Sequence, residues 1–413
     1  MIEPIKPPRR KNPLLRTRLP ASPPRPRSRI SHGFTRAAAE GRFMLQRCEA
    51  CGAFAYPARE ACPSCLSAGL AFVDAPRRGV LLAETTARVP SDVYFRERAP
   101  WRIGLIKMDC GPTIVAHLHG DCAEGAAVSM SLQLDKSGQA VAFAHPEGET
   151  PNMADDKQWR EMTADPKFRR ALVTNGRSVI GQEAVAALTA AGAKTVFVGI
   201  AEPWRPFAGE ERLRGQDGIE IVTLDAADEK SASDLAADIG GKVDILVNTT
   251  EYVRPGGLLD RRGTSIARDE IDQAYLGFIN LAQAFGPAMR MRGADGINSS
   301  AAWVNILSVY ALANWPAFGA YSASQAACLS LSHCLRAELR PGGVRVMNLF
   351  TGPVDTEWFQ TVPPPKVAPR AIAQAIVSGL KNGLEEMYVG DVAEEIRQRL
   401  AANPKALERE LDR

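Results

Sequence analysis

Ile306-Leu307-Ser308-Val309-Tyr310, followed by Tyr321-Ser322-Ala323-Ser324-Gln325, is the stretch on which the reading of this chain turns. The first segment is an apolar run of strand composition carrying a serine at its end, and the second opens a long helical pattern. Tyr321 and Gln325 lie four positions apart, one helical turn along the same face. A lysine at the second position would lower the tyrosine pKa through its ammonium charge. Gln325 can offer hydrogen bonds but no charge. Outward from this stretch, Ala171-Leu172-Val173, Thr195 to Gly199, Ile219 to Leu224, Ile245 to Asn248, Val304 to Leu307 and Val344 to Leu349 read as strands, with helical segments such as Glu183 to Ala191 between them. Strands that alternate with helices predict an α/β doubly wound parallel sheet.

The chain is 413 residues long, more than one core usually holds, so several domains are expected. Its net charge of +3 hides an asymmetry. Residues 1–30 carry nine Lys or Arg against one acid, and the remainder is acidic, at −5. With eight prolines among its basic residues, this leader lacks the apolar content to build a core and reads as a disordered tail, residues 1–32. A transit peptide or a nucleic-acid arm are the other readings of it. No apolar run reaches the length of a membrane span, and no signal-peptide core is present, so a cytoplasmic protein is expected.

Cys110, Cys122, Cys328 and Cys334 are scattered and read as reduced thiols. Cys48-x2-Cys51-x10-Cys62-x2-Cys65 is different: two Cys-x-x-Cys knuckles can place four thiolates around one tetrahedral Zn²⁺. Gly52 and Pro63 suit the turns that such knuckles need. Two disulfides, or free thiols, are the alternative. A site with four protein ligands is closed, which makes its role structural. Short segments follow at Val80 to Thr86, Ile103 to Met108, Thr113 to Leu118, Ala127 to Leu134 and Ala140 to Ala144, and they predict a small antiparallel barrel, an OB fold. Between the first two, Tyr94-Phe95-Arg96-Glu97-Arg98-Ala99-Pro100-Trp101-Arg102 interleaves rings with guanidinium groups. It could stack an adenine or single-stranded bases, but a buried Trp in an exposed loop, or a protein interface, is the favoured reading. The acidic body argues against nucleic acid. Residues 147–164 read as a linker with at most a short helix.

The order Gly41-Arg42-Phe43-Met44-Leu45-Gln46-Arg47-Cys48, Tyr56-Pro57-Ala58-Arg59, Cys62-Pro63-Ser64-Cys65 and then the barrel resembles the rubredoxin-like zinc-ribbon plus OB-fold family associated with acyl-CoA metabolism, with ribbon at 33–75 and barrel at 76–146. The resemblance implies a CoA thioester context and a partner role toward a thiolase or thiolase-like aldolase.

Residues 165–413 resemble the short-chain dehydrogenase/reductase family, whose Rossmann sheet binds NAD(P). The resemblance implies cofactor contacts from Thr174, Asn175, Gly176, Ile180, Gly181, Asp225, Asn248, Gly352 and Thr356, and catalysis by Ser308, Tyr321 and the residue at Gln325. Several positions depart from the pattern. The family's Thr-Gly-x-x-x-Gly-x-Gly is here Thr174-Asn175-Gly176-Arg177-Ser178-Val179-Ile180-Gly181, so a β-branched Val179 stands where backbone should approach the pyrophosphate. After Val198-Gly199-Ile200 no acid is placed for the ribose, and Glu202 and Arg205 are the substitutes at hand. The family's Asn-Asn-Ala-Gly is Asn248-Thr249-Thr250-Glu251, and its catalytic Asn falls at Ala274, with Asn280 elsewhere on that helix.

Ser308 and Tyr321 can serve either chemistry or packing at a strand-helix junction. Three functions follow. The preferred one is a partner or scaffold subunit in acyl-CoA metabolism with a silent or impaired dehydrogenase-like domain. The partner would be a thiolase or a sister dehydrogenase, and oligomerisation would use the helix from Tyr321 through Ala327, Cys328, Leu331, Leu335 and Leu339. The second is an active NAD(P)-dependent 3-hydroxyacyl-CoA or 3-ketoacyl-CoA oxidoreductase, and the third a nucleic-acid-binding zinc protein.

Overall fold

A computed structural model of the chain describes residues 1–8, 21–25, 28–294 and 299–411. Two compact units emerge, one built mainly from residues 21–165 and the other from 166–380 and 385–413. No helix among the described residues is long and apolar enough to cross a membrane.

In the first unit, helix α1 (His32–Ala39) leads into a three-stranded sheet of β1 (Met44–Cys48), β2 (Phe54–Ala55) and β3 (Leu70–Asp74), with β1 central and antiparallel to both neighbours. The next five strands are β4 (Arg78–Ala87), β5 (Trp101–Met108), β6 (Thr113–Leu118), β7 (Ala127–Leu134) and β8 (Ala140–Pro146), which close into a barrel in the order β4-β5-β6-β8-β7, with the short helix α2 (Val93–Glu97) between β4 and β5. Alternation puts Leu81, Ile106, Met108, Ile114, Leu118, Val128 and Met130 inside, where they form one core with Phe34, Phe43 and Leu45. The expected barrel is correct in every strand, but it is not wholly antiparallel: β6 and β8 pair in parallel.

Two other expectations change here. The 147–164 stretch does carry one short helix, α3 (Lys157–Met162), yet it is no loose linker. Met162 is buried with Trp101 and Phe143, and the Trp159 ring meets Phe143 edge-on at 5.1 Å. Its acidic composition concealed this packing because Glu161 is satisfied by charge: Arg98 at 3.0 Å, Lys136 at 3.1 Å and the Tyr94 hydroxyl at 3.1 Å. The leader is also not wholly free. The Ile5 N–H donates to Asp155, and Asn152 donates to the Ile2 carbonyl, so its first residues are held by main-chain hydrogen bonds that composition does not reveal. Its residues 9–20 and 26–27, with most of the arginines, lie outside the described residues.

The second unit is a seven-stranded parallel sheet in the order β11-β10-β9-β12-β13-β14-β15. Its strands are β9 (Arg170–Val173), β10 (Thr195–Ile200), β11 (Ile219–Thr223), β12 (Ile245–Asn248), β13 (Ala302–Ser308), β14 (Arg345–Thr351) and β15 (Glu386–Val389). The last is short and was not legible as a strand. Strand order reverses at β9, which has β10 on one side and β12 on the other, so the crevice beyond the carboxyl ends of β9 and β12 is where such a sheet places its ligand. Helix α4 (Val179–Ala190) starts four residues earlier than periodicity suggests, because the Ser178 hydroxyl caps the Gly181 N–H at 3.0 Å. Helices α5 (Glu229–Ile239), α6 (Ser265–Glu270), α7 (Gly277–Met291), α8 (Gly319–Leu339), α9 (Pro369–Asn382) and α10 (Asp391–Ala402) complete the unit with a terminal helix, α11 (Pro404–Glu410). Leu172, Leu246, Phe278, Phe285, Trp303, Leu335, Leu339 and Val346 form one core. Cys328, Leu335 and Leu339 therefore face their own domain, and the apolar stripe of α8 is mostly core.

Candidate functional site

Cys48 and Cys62 are buried while Cys51 and Cys65 are exposed, and all four sulfurs lie within 4.8 Å of one another. Cys48 Sγ to Cys65 Sγ and Cys51 Sγ to Cys62 Sγ are both 3.6 Å. Disulfides at about 2.05 Å are therefore not formed. A tetrahedron with Zn–S bonds of about 2.3 Å has S···S edges of about 3.8 Å, close to what is found. Local backbone favours the thiolate at two of the four ligands, while, against the Ser67 N–H, the neighbouring sulfurs push the Cys65 thiol up to about 12 when no metal shares their charge. The N–H groups of Cys51 and Ala50 pull the Cys48 thiol down to about 6 against the opposing effect of burial, and those of Ser64 and Cys65 lower Cys62. Gly52 accepts the positive φ of 74° that the first knuckle needs. The four residues fit a structural zinc.

The ring-and-guanidinium segment of the barrel is internal packing. Tyr94 and Trp101 are buried, Trp101 donates to His117 Nδ1 at 2.8 Å, and Arg98 lies 3.9 Å over the Tyr94 ring before reaching Glu161. Neither ring is free to stack an adenine or a nucleic-acid base, and the buried-tryptophan reading is the correct one.

In the crevice of the parallel sheet, the turn after β9 is built for close approach. A Cβ on Gly181 would stand 1.9 Å from the Asn175 carbonyl oxygen, and one on Gly176 would stand 2.2 Å from Val198. Both glycines are required by packing between helix and strand. The turn is then tied to the end of β12. Thr174 accepts from the Thr249 N–H at 2.9 Å and donates to Asn248 at 3.3 Å, while the Asn175 N–H donates to the Thr249 hydroxyl at 3.0 Å. Ile180 is buried, whereas Val179 opens α4 and is half exposed at the mouth. The Arg177 guanidinium holds the carbonyls of Glu202 and Arg205, and Glu202 and Arg205 pair with each other at 3.3 Å. The two ribose substitutes thus satisfy one another. Asp225 caps the Ala227 N–H at 3.0 Å, and Gly352 is buried against Val392. Thr356, beyond β14, stands ahead of the short turn 357–359 and makes no capping bond.

Ser308 ends β13, and Tyr321 stands one turn inside α8, so the sheet and the helix bring the two together. The Ser308 hydroxyl interacts with that of Tyr321 and also caps the Tyr310 N–H. The Tyr321 ring is 6.4 Å from Phe318 and 6.5 Å from Phe359, which stack on one another. The carboxamide oxygen of Gln325, the residue at the third catalytic position, is engaged by the strand backbone. The residue is 3% exposed, and Oε1 accepts the Ser308 main-chain N–H at 3.0 Å. Ala274 is buried at the centre of a π-helical turn, Ile271–Leu276, packed with Leu307, Val309 and Tyr310, and it supplies no amide. Asn280 does not stand in for it, since its amide ties α7 to the carbonyls of Ala226 and Ala227.

One residue of this site escaped the sequence reading. Glu251 lies three positions beyond β12, near enough to Tyr321 for the two groups to influence each other. Burial pushes its carboxyl up to about 7, Tyr321 opposing. Burial, and then the Glu251 charge, push the Tyr321 phenol well above its usual value. The only signal was that Glu251 replaces the glycine of the family pattern.

Residues 169–366 match the short chain dehydrogenase family, residues 35–71 the ChsH2 rubredoxin-like zinc ribbon domain, and residues 72–133 the ChsH2 C-terminal OB-fold domain. A short chain dehydrogenase from Burkholderia cenocepacia J2315, solved in complex with NADP, is 32% identical. It superposes with a TM-score of 0.53 over 59% of this chain and 97% of that one. An uncharacterized oxidoreductase of Mycobacterium bovis is 32% identical over 219 residues, 50% of this chain and 60% of the relative. The short-chain dehydrogenase PC-15 of Penicillium crustosum is 34% identical over 157 residues, 37% of this chain and 54% of the relative. The chain thus spans about 60% or less of the length of these curated relatives. The glycine turn, Ser308 and Tyr321 of a dinucleotide site are in place here. The charges are not: among the described residues no cation acts on Tyr321, and Glu202 and Arg205 are paired with each other.

Proposed function

We propose that this chain, which belongs to the short-chain dehydrogenase family and carries a zinc ribbon and OB fold ahead of that domain, is a partner subunit in acyl-CoA metabolism whose dehydrogenase domain does not transfer hydride effectively. The observation that carries the reading is the Ser308 N–H bonded to Gln325 Oε1. A side chain turned to the β13 backbone neither charges the tyrosine site nor reaches out to a ribose. Reduction of a ketone needs a proton donor whose pKa matches the task, and a phenol held well above 10 beside a carboxyl group is poorly matched. Fold alone carries no activity. The ribbon and barrel support the thioester context through their family, and a thiolase-like enzyme or a sister dehydrogenase is the partner we assign. The α8 contribution to assembly is narrower than its whole stripe: a groove of about 450 Å³ between α7 and α8, lined by Ala282, Gly286, Leu331 and Cys334, is the part left for another subunit.

The NADP-bound Burkholderia relative supports the second reading, an active NAD(P)-dependent oxidoreductase of acyl-CoA thioesters. Isolation of the tagged full-length chain from its native host separates the two. The partner reading expects stoichiometric co-purification with a thiolase-like or dehydrogenase subunit, no oxidation of NADPH or NADH with acetoacetyl-CoA by the chain alone, and unchanged activity of the complex for Tyr321→Phe. Robust turnover by the isolated chain that Tyr321→Phe abolishes establishes the oxidoreductase instead.

A further inference from the structure

We infer that the cavity along β7 and the end of β8, in the first unit, is a binding site for an adenine nucleotide, with the amino group turned inward and the phosphate at the rim. Such a site is independent of hydride transfer in the second unit. The cavity measures about 690 Å³ and is lined by Gln133, Ser131, His145 and Trp159, with the exposed Arg77 at its edge. Two polar atoms of this wall lack partners. Gln133 is 4% exposed, and its Oε1 has no hydrogen-bond partner. His145 Nδ1, also buried, has none either.

The hydrogen bonds behind these two atoms make both of them acceptors. Ser131 gives its hydroxyl hydrogen to the Phe143 carbonyl at 3.4 Å and takes the Gln133 amide N–H at 3.4 Å. Its remaining lone pair faces His145 Nε2 at 3.2 Å, so that nitrogen carries the proton and Nδ1 does not. Burial, and then His119 and Arg77, push the ring down to about 3, which keeps it neutral. A buried acceptor left without a donor is costly, and two in one wall suit a ligand that brings N–H groups. The amino group of an adenine carries two. Trp159, half-buried and meeting the His145 ring edge-on at 4.4 Å, gives the base an aromatic wall. Charge at the rim favours an anion. Glu40 is paired with Arg36 at 3.1 Å, Glu147 with Arg78 at 2.6 Å and Asp165 with Arg160 at 3.8 Å. Arg77 spends one N–H group on the Gly41 carbonyl at 3.1 Å, and the rest of its guanidinium fork suits a phosphate.

Titration calorimetry of the full-length, zinc-loaded protein with AMP tests the site, with inosine monophosphate, adenosine and CoA as comparison ligands. Inosine monophosphate turns a carbonyl oxygen toward the two acceptors where AMP has its amino group, and it should bind about 10-fold or more weakly on the wild-type chain. Arg77→Ala should reduce the affinity for AMP to that for adenosine, which has no phosphate to lose. His145→Phe and Gln133→Met, each shown to be folded by its melting curve, should weaken AMP by about 10-fold or more. CoA that displaces AMP names the coenzyme as the source of the nucleotide, CoA that does not names a free nucleotide, and the site holds in both cases. AMP binding that survives both His145→Phe and Arg77→Ala lies elsewhere in the chain, the dinucleotide crevice included, and overturns the assignment. Equal affinity for AMP and inosine monophosphate overturns it as well. So does the absence of binding by AMP and CoA at millimolar concentration, which leaves the two acceptors to water.

Discussion

Replacing Gln325 separates a tyrosine site that has merely lost its cation from one rebuilt around a different bond. Gln325 Oε1 is the acceptor of the Ser308 main-chain N–H at 3.0 Å, in a place where Gln325 is 3% exposed and Ser308 is equally buried. Gln325→Met keeps the volume and removes the acceptor. A buried N–H left without a partner costs about 1–3 kcal/mol. For a unit of this size each kcal/mol lowers the melting temperature by about 2–4 °C, so the dehydrogenase domain should melt roughly 2–12 °C lower. Gln325→Lys loses the same acceptor and adds an ammonium in a desolvated position, so it should be at least as unstable as the methionine variant. It should also remain inactive with NADPH and acetoacetyl-CoA, because Val179 and Ala274 are unchanged. The assay is differential scanning calorimetry of the full chain with a parallel absorbance assay at 340 nm. A Gln325→Met variant that melts with wild type would refute the structural role of the bond. A Gln325→Lys variant that is more stable, or that turns over, would refute the view that the site has been rebuilt and would restore it as a dehydrogenase lacking one charge.

The ribbon should hold one zinc per chain by elemental analysis, and Cys62→Ser should release it and unfold the amino-terminal unit, whereas two stoichiometric disulfides in the native protein would defeat the assignment. Glu161 gives that unit a signature in acid. Burial alone would raise its carboxyl, but Lys136 and Arg98 hold it down at about 2. A folded pKa below the unfolded value of about 4.3 stabilises at higher pH, and that contribution is lost as pH falls from about 4.3 to about 2. The loss should be on the order of 2–3 kcal/mol. Melting curves between pH 5 and pH 2 should show it in wild type and not in Glu161→Gln, and an identical acid slope in both would remove Glu161 from the account.

Much of the fold was legible because it is written in local patterns. The two Cys-x-x-Cys knuckles specify a metal site through spacing alone, and the structure brings all four sulfurs together. The five barrel strands and six of the seven parallel strands show as short apolar or alternating runs. Val179, Ala274 and Gln325 could be recognised as departures because a helical turn or a glycine loop defines each position within a few residues. The misreadings have a common cause. Residues 147–164 look like a linker because their acids and bases are satisfied by residues far along the chain, as Glu161 is by Arg98. The arginine-aromatic segment left a base-stacking loop open beside the favoured buried tryptophan, because composition does not say that Tyr94 turns inward with Trp101.

The sequence by itself determined that a zinc ribbon, a small barrel and a doubly wound sheet follow one another, and that the lysine and asparagine of a dehydrogenase site are missing. Only the tertiary structure decided what replaced them. Glu251 and Tyr321 are seventy positions apart, and no periodicity relates them. They meet because β12 lies beside β13 in the sheet, so the loop leaving one strand opens over the serine that ends the other. Gln325 likewise carries two hydrogen-bonding ends of opposite character, and its sequence position is compatible with a ribose or with a strand. Packing of α8 against β13 aimed its oxygen at the Ser308 N–H, a buried donor that would otherwise go unpaired.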